Sequence, residues 1–535
     1  MLIRRSSSVS LSRRPGRGAA RASAVGLALV LLAGCSGDDT PVVTRTGTDA
    51  PTSDTTEPGT PNPGPLVPDG IDEALVPFYS QQIAWQACGD RECATVEAPL
   101  DWADAGAGST RLALERAVAE GEAQGSLLIN PGGPGSSGID FLDYGVSLIS
   151  PEVREQFHVV GFDPRGVAAS DGVACLDDAA KDAALSKDYD YSSPEDLAEL
   201  EADATAYGEA CLEKTGELLG HVDTQSAAKD MDLIRALVGD EKLNYLGYSY
   251  GTQLGAAYAG QFPDRVGRLV LDGAVDITLD ADESSLQQAQ GFERALRAYV
   301  TDCQANEENC PLTGSVDDGL AQIKALVDAA YENPLPTDSG RELTQTLAFY
   351  GIAVTLYNDS SWPMLTDALA GAIGEGDGTY LLYLADVYND RQADGTFASN
   401  SSEAFRAIGC LDGRGNSDPA HMAAEAEKIR EAAPTLGESF GYGALLCKNW
   451  PVPAAEVTYD ISAPGAAPIV VIGTTNDPAT PYEWSQALAK TLESAVLVTW
   501  EGEGHTAYGR SNECITVAVD QYLLEGTVPQ DGLQC

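Results

Sequence analysis

Three observations predict an α/β chain: a mostly parallel central sheet with a large, mainly helical cap inserted into it. Short apolar strands alternate with helical periodicity in the first half of the folded sequence and again at its end. Between Asp280 and about Pro464 the strand signals fade and helical patterns dominate. That stretch is too long for a loop inside a compact domain, so it reads as an inserted unit. A chain of 535 residues can hold a large core and more than one domain.

The chain opens on a basic region containing Arg4, Arg5, Arg13, Arg14, Arg17 and Arg21, followed by an apolar run from Ala24 to Ala33. The run is about half the length of a bilayer span, so residues 1–34 read as a signal peptide rather than a membrane helix. It ends in Leu32-Ala33-Gly34-Cys35, which resembles a bacterial lipobox and points to lipidation at Cys35. The paired arginines support twin-arginine export only weakly. Residues 35–74 are rich in Thr, Pro, Gly, Asp and Ser and cannot bury a core, so they read as a flexible tether. A first core segment is expected over 75–280, the helical cap over 281–464, and the rest of the core over 465–535.

Apart from Cys35, ten of the 11 cysteines remain, an even number in a compartment that permits disulfides. Close spacing suggests Cys88–Cys93 and Cys303–Cys310. Cys175–Cys211, Cys410–Cys447 and Cys514–Cys535 form the sequential remainder. No pair has Cys-x-x-Cys spacing, so disulfides are favoured over metal, and no metal or cofactor is expected. The formal net charge of −49 argues against nucleic acid and anionic lipid headgroups as partners. It becomes more negative once the arginine-rich leader is removed.

Candidate strands are Ser126–Asn130, Phe157–Phe162, Leu243–Tyr248, Arg268–Asp272, Pro468–Gly473 and Ala495–Trp500. Before the third lies a helix with Thr224 as its expected N-cap and Met231, Ile234, Leu237 and Val238 on one face. Cap helices are expected over Gly291–Cys303, Val316–Tyr331, Met364–Ile373 and Ala420–Ala433.

Chemistry enters at Gly247-Tyr248-Ser249-Tyr250-Gly251. The pattern Gly-x-Ser-x-Gly follows a strand and precedes a helix-compatible segment, Thr252 to Phe262. In that order the serine sits on a strained turn with its hydroxyl above the sheet edge. A serine hydroxyl needs a base, and the base needs an orienting group. Of four histidines, His158 lies inside a strand, His221 precedes a helix cap and His421 opens a cap helix. His505 follows the last strand in a glycine-rich loop, where catalytic side chains of open α/β sheets gather. For the acid, Asp477 in Thr475-Asn476-Asp477-Pro478 is favoured over Asp272. Thr480 is expected to cap the next helix, with Pro481 as its first residue and Glu483 completing a capping box. Oxyanion donors are expected from the backbone of Tyr250 and of Gly133, with Gly132 second, in the turn Asn130-Pro131-Gly132-Gly133-Pro134-Gly135.

Together these residues resemble the α/β-hydrolase superfamily. Within it they are similar to the secreted tripeptidyl aminopeptidase and proline iminopeptidase group, including actinobacterial lipoprotein members. The resemblance rests on Asn130–Gly135, Gly161-Phe162-Asp163-Pro164-Arg165-Gly166, Gly247–Gly251, Asn476–Pro481 and Gly504-His505. It continues in Ser361–Leu365 and Ala407–Asp412 of the cap. It implies a serine exopeptidase releasing residues or short peptides from a free N-terminus through an acyl-enzyme. Val167-Ala168-Ala169-Ser170 departs from the group, which usually carries glycine or arginine near Ser170. Asp276, Glu283 and Glu293 are the possible partners of a substrate ammonium group. Two rival readings keep the fold: a carboxylesterase using the same triad, and a catalytically silent ligand-binding lipoprotein. The chain is expected to act as a monomer, anchored by lipid outside the cytoplasm, on peptide substrates.

Overall fold

The computed structural model describes residues 64–306 and 309–535. The signal peptide, Cys35 and most of the tether lie outside the described residues. Within them, contact with the core starts earlier than Leu75: the Leu66 N–H donates to Ala236 O at 2.9 Å.

A ten-stranded sheet organises the molecule. Its strands are β1 (Gln86–Cys88), β2 (Arg91–Asp101), β3 (Asp104–Ala117), β4 (Gly125–Asn130), β5 (Phe157–Phe162), β6 (Leu243–Tyr248), β7 (Val266–Asp272), β10 (Ile469–Asn476), β11 (Ala495–Glu503) and β12 (Leu533–Gln534). The short hairpin of β8 (Leu335–Pro336) and β9 (Glu342–Leu343) stands apart from it. The spatial order is β1-β2-β3-β5-β4-β6-β7-β10-β11-β12. From β5 to β12 all pairings are parallel, while β1, β2 and β3 join antiparallel at one edge.

Parallel strands are covered on both faces, which is why they read as unbroken apolar runs. Alternate residues divide between two cores. Leu128, Tyr245, Leu269, Leu271 and Val471 pack with the helices Thr224–Val238 and Tyr250–Gln261. Leu127, Ile129, Leu246, Val270, Val470 and Ile472 pack with Gly138–Leu148 and Glu513–Glu525. The six expected strands all form. The β2–β3 hairpin lies outside the expected strands, because charged and small residues such as Glu92, Glu97, Gly106 and Gly108 interrupt its apolar pattern.

Between β7 and β10 the chain runs mainly through helices, the first being Ala281–Asn306 and the last α-helix Pro419–Ala432. Most of these share a core of their own, centred on Leu296, Tyr299, Ile323, Ile352, Leu365 and Leu384. Two helices are exceptions: Ala404, Ala407, Ile408 and Leu411 of Ser401–Asp412 belong to the core under the sheet, and Met422 and Ile429 of Pro419–Ala432 join small separate clusters. A second helical excursion, Asp178–Leu185 and Pro194–Thr215, lies between β5 and β6. Lys181 pairs with Glu403 and Asp182 with Arg341 and Arg391, so this excursion is tied to the cap.

The ten cysteines meet as Cys88–Cys93, Cys175–Cys211, Cys303–Cys310, Cys410–Cys447 and Cys514–Cys535. Helix Thr224–Val238 is capped by Asp223 rather than Thr224: the Asp223 carboxylate accepts the Ser226 N–H at 2.9 Å. The Thr224 hydroxyl is instead 2.5 Å from the cap carboxylate of Asp412. No helix among the described residues is long and apolar enough to cross a membrane.

Candidate active site

Ser249 stands between β6 and helix Tyr250–Gln261 with φ 55° and ψ −126°, a conformation that costs a non-glycine residue about 1–3 kcal/mol. The surrounding contacts hold it there. The Ser249 N–H donates to Asp272 O at 2.9 Å, and Ser249 O accepts from the N–H and hydroxyl of Thr252 at 2.8 and 2.6 Å. A Cβ on Gly247 would lie 2.4 Å from Gly251 O, and one on Gly251 2.9 Å from Asn130 O. The turn therefore closes only with glycine at both positions.

The loop after β4 meets this turn directly. A Cβ on Gly132 would lie 2.6 Å from Tyr248 O, 2.9 Å from Ser249 Cβ and 3.0 Å from Tyr250 N. The Gly132 N–H is already given to Asn130 Oδ1 at 2.9 Å. Gly133 N makes no hydrogen bond among the described residues, and Tyr250 is the first residue of its helix, where N–H groups lack intrahelical partners. The two expected donors are thus the two left open. Asp163 braces the loop by accepting the Ser137 hydroxyl at 2.6 Å and the N–H of Ile139 and Ala169. The neighbouring Arg165 is fully buried in a two-pronged pair with Asp230, both contacts 2.7 Å. Ser170, the departure from the expected motif, donates to Asp163 O and accepts the Ala113 N–H, each at 2.7 Å. Its hydroxyl joins β3 to this turn.

His505 follows β11, and its Nδ1 is 2.9 Å from both oxygens of Asp477. An ionised carboxylate only accepts, so Nδ1 carries the proton and Nε2 is left as the basic atom. Nε2 is buried and has no hydrogen-bond partner among the described residues. Asp477 also accepts the N–H of Ala479 and Thr480 at 2.9 Å and of Thr506 at 3.3 Å.

Thr480 does not cap a helix. The helix begins at Tyr482 after Pro481, with no side-chain cap and no capping box from Glu483. The Thr480 hydroxyl instead donates to Asp477 Oδ2 at 3.1 Å and lies 3.2 Å from His505 Nδ1. The capping signature could not reveal this, because the hydroxyl is drawn to a carboxylate three residues back.

Asp272 is not on His505 but on the backbone of the histidine loop. Its carboxylate accepts the N–H of Ala507 at 3.0 Å and of Tyr508 at 2.7 Å, and burial pushes it up to about 6. With its carbonyl on Ser249, one residue anchors both the serine turn and the histidine loop. The cap reaches the same loop from the other side. The His505 N–H donates to Tyr357 O at 2.8 Å, and the Tyr357 ring stands edge-on to the imidazole with centroids 5.5 Å apart. Arg510 donates to the carbonyls of Thr506 and Glu503 and to Asp359 of the cap, at 2.8, 3.1 and 3.2 Å.

The remaining candidates are engaged elsewhere. His158 Nδ1 accepts the Ala119 N–H, and burial keeps the ring below the usual histidine range. His421 is 2.7 Å from Asp282, which raises it. The His221 carbonyl accepts from Arg165. Asp276 closes its own turn on Thr278, Glu283 holds Gln287, and Glu293 is buried on Thr435. None of these three acids is bonded to the Ser249 site. The metal-type cluster among the described residues, Cys88, Cys93 and Glu115, has its two sulfurs joined to each other.

A family profile described as TAP-like protein matches residues 433–535. The chain is 38% identical over 481 residues to serine protease Hip1 of Mycobacterium tuberculosis, covering 86% of this chain and 92% of that one. It is 37% identical over 475 residues to carboxylesterase B of the same organism, covering 86% and 91%. Tripeptidyl aminopeptidase of Streptomyces lividans is 30% identical over 459 residues, 84% of each chain.

Proposed function

This chain belongs to the TAP-like family of α/β-hydrolases and is a serine hydrolase, and on that premise we propose that it is an extracytoplasmic exopeptidase acting on peptides with a free N-terminus. Ser249 Oγ attacks the scissile carbonyl while His505 Nε2 takes its proton. The C–N bond breaks as the imidazolium returns that proton to the leaving amine. Water then hydrolyses the acyl-enzyme by the same exchange. Asp477 holds the imidazole tautomer, and the N–H groups of Gly133 and Tyr250 receive the oxyanion.

The observation that carries this reading is the Asp477–His505 pair with its free Nε2 in the loop that shares Asp272 with the Ser249 turn. Peptide specificity is supported by the Hip1 and tripeptidyl aminopeptidase relatives, export by the basic leader and the five cysteine pairs. The likeness to carboxylesterase B favours a second reading, in which esters are the substrates.

A fluorophosphonate probe should label the wild-type protein and not Ser249→Ala; equal labelling of both would refute the nucleophile. Rates on free-amine tripeptide amides, their N-acetyl forms and short aryl esters separate the two readings. A free-amine peptide hydrolysed fastest supports the exopeptidase. Equal rates on all three support the esterase. Globomycin-sensitive processing, with loss of membrane association in Cys35→Ala, tests the anchor.

A further inference from the structure

Arg406 stands out by what it lacks. Every other described arginine has an ion pair or a hydrogen bond. Arg406 has neither among the described residues, in a chain with 81 acidic residues. Its one close partner is the ring of Tyr207, 4.2 Å below the guanidinium carbon. Such stacking occupies the face of the fork and leaves its N–H edges open for an anion.

Its position ties it to the reaction centre. Helix Ser401–Asp412 lies against the oxyanion loop: a Cβ on Gly135 would be 2.8 Å from Phe405 N and 2.9 Å from Ala404 Cβ. Phe405, next to Arg406, is 55% exposed although it borders that loop. On the other side a row of cap tyrosines leads back to the base. Tyr350 stacks on Tyr388 with centroids 4.9 Å apart, the Tyr388 phenol is raised first of all by that of Tyr357, and Tyr357 stands edge-on to His505. The phenol of Tyr350 is raised by burial and lowered by the charge of Arg406, so the guanidinium acts on the near end of this row. All three tyrosines are half-buried, so part of each ring remains open to a ligand.

We propose that Arg406 binds a carboxylate of the substrate, with the Tyr350–Tyr388–Tyr357 row as the wall between that carboxylate and His505. The carboxylate is either an acidic side chain or the C-terminal group of a short peptide. This rests on the serine-hydrolase reading of Ser249 but not on the peptide preference. Arginine presents paired donors to a carboxylate, and a charge-assisted contact contributes enough to change affinity about tenfold or more.

The test uses matched pairs differing only in charge: peptides with glutamate or glutamine at each position, peptides with free or amidated C-termini, and an aryl ester with a free carboxylate or its amide. The readout is the ratio of kcat/KM within each pair, measured on one preparation, so partial misfolding cancels. Wild-type protein should favour the charged member of at least one pair about tenfold. In Arg406→Gln that ratio should fall to about one, and in Arg406→Glu it should invert, with the loss carried by KM. The glutamate pairs and the C-terminal pairs identify the source of the carboxylate. If only the esters are turned over, the peptidase reading fails and the ester pair still decides Arg406. A wild-type ratio near one in every pair, or a preference that survives Arg406→Gln, overturns the proposal.

Discussion

The histidine loop is gripped from two sides, and the two grips are chemically unlike. On the sheet side, Asp477 and Asp272 are fully buried and hold five backbone N–H groups between them. On the cap side there is a single carbonyl, one aromatic edge and a guanidinium whose acid, Asp359, is half-exposed. Buried carboxylates satisfied by backbone donors are rigid and costly to disturb, whereas a half-exposed ion pair contributes little and yields easily. The sheet side therefore sets the position of His505 whatever is bound. The cap side can respond to what is bound.

The comparison breaks first at the sheet. Asp477→Asn should lower kcat by about 10⁴-fold, because the amide no longer selects the Nδ1–H tautomer. Steady-state kinetics with an unchanged fold by circular dichroism would show it, and a loss under tenfold would remove Asp477 from its role. Gly132→Ala comes next. At φ 99°, with Tyr248 O only 2.6 Å from the new methyl, the oxyanion loop must move away from Ser249. A displacement of that order costs about 10²-fold in kcat, with fluorophosphonate labelling slowed in parallel.

On the cap side the effects should be smaller and substrate-dependent. Arg510→Met removes the link to Asp359 and the bonds to the Thr506 and Glu503 carbonyls while leaving Asp477 on His505. Its kcat/KM should fall about 3–10-fold, more for peptides than for small esters, in keeping with a half-exposed pair worth up to about 1 kcal/mol together with the lost carbonyl contacts. Equal loss on both substrate types would mean that the cap only stabilises the loop.

The smallest effect sharpens the comparison through pH. Asp412 lies where the cap meets the serine turn, accepting from the Thr224 N–H and hydroxyl, and the Thr224 hydroxyl touches Tyr250. Burial, and to a lesser degree Asp223, pushes it up to about 7. A carboxyl raised in the fold stabilises it fully below its unfolded value near 4 and loses that contribution as pH rises through 7. The slope is at most about 1.4 kcal/mol per pH unit. Melting temperature should therefore fall more steeply from pH 5 to 7.5 in wild type than in Asp412→Asn. Parallel curves would exclude Asp412 from the pH response.

What was legible follows the same division. The sheet announced itself because parallel strands are apolar on both faces, and the serine, acid and histidine because each follows a strand in a glycine- or proline-marked loop. The β2–β3 hairpin, Thr480 as a partner of Asp477 and the double anchoring by Asp272 were not legible. Each depends on a contact whose partner is set by packing rather than local pattern: Asp272 reaches residues more than 230 positions away. The acids Asp276, Glu283 and Glu293 are distinguished in the sequence by charge alone, and the fold gives them Thr278, Gln287 and Thr435 as partners.

The amino-acid sequence by itself pointed to the sheet, the helical insertion and the three residues of the candidate triad, because local geometry and spacing restrict which residues can serve; it left the cysteine connectivity open. Tertiary structure alone decided that Thr480 and Asp272 serve the histidine loop. It also placed Tyr357 and Arg510 over that loop and left Arg406 without an acid among the described residues. The physical reason is that a hydrogen bond or ion pair is chosen among all groups the fold brings within about 3 Å, and that choice has no period along the chain.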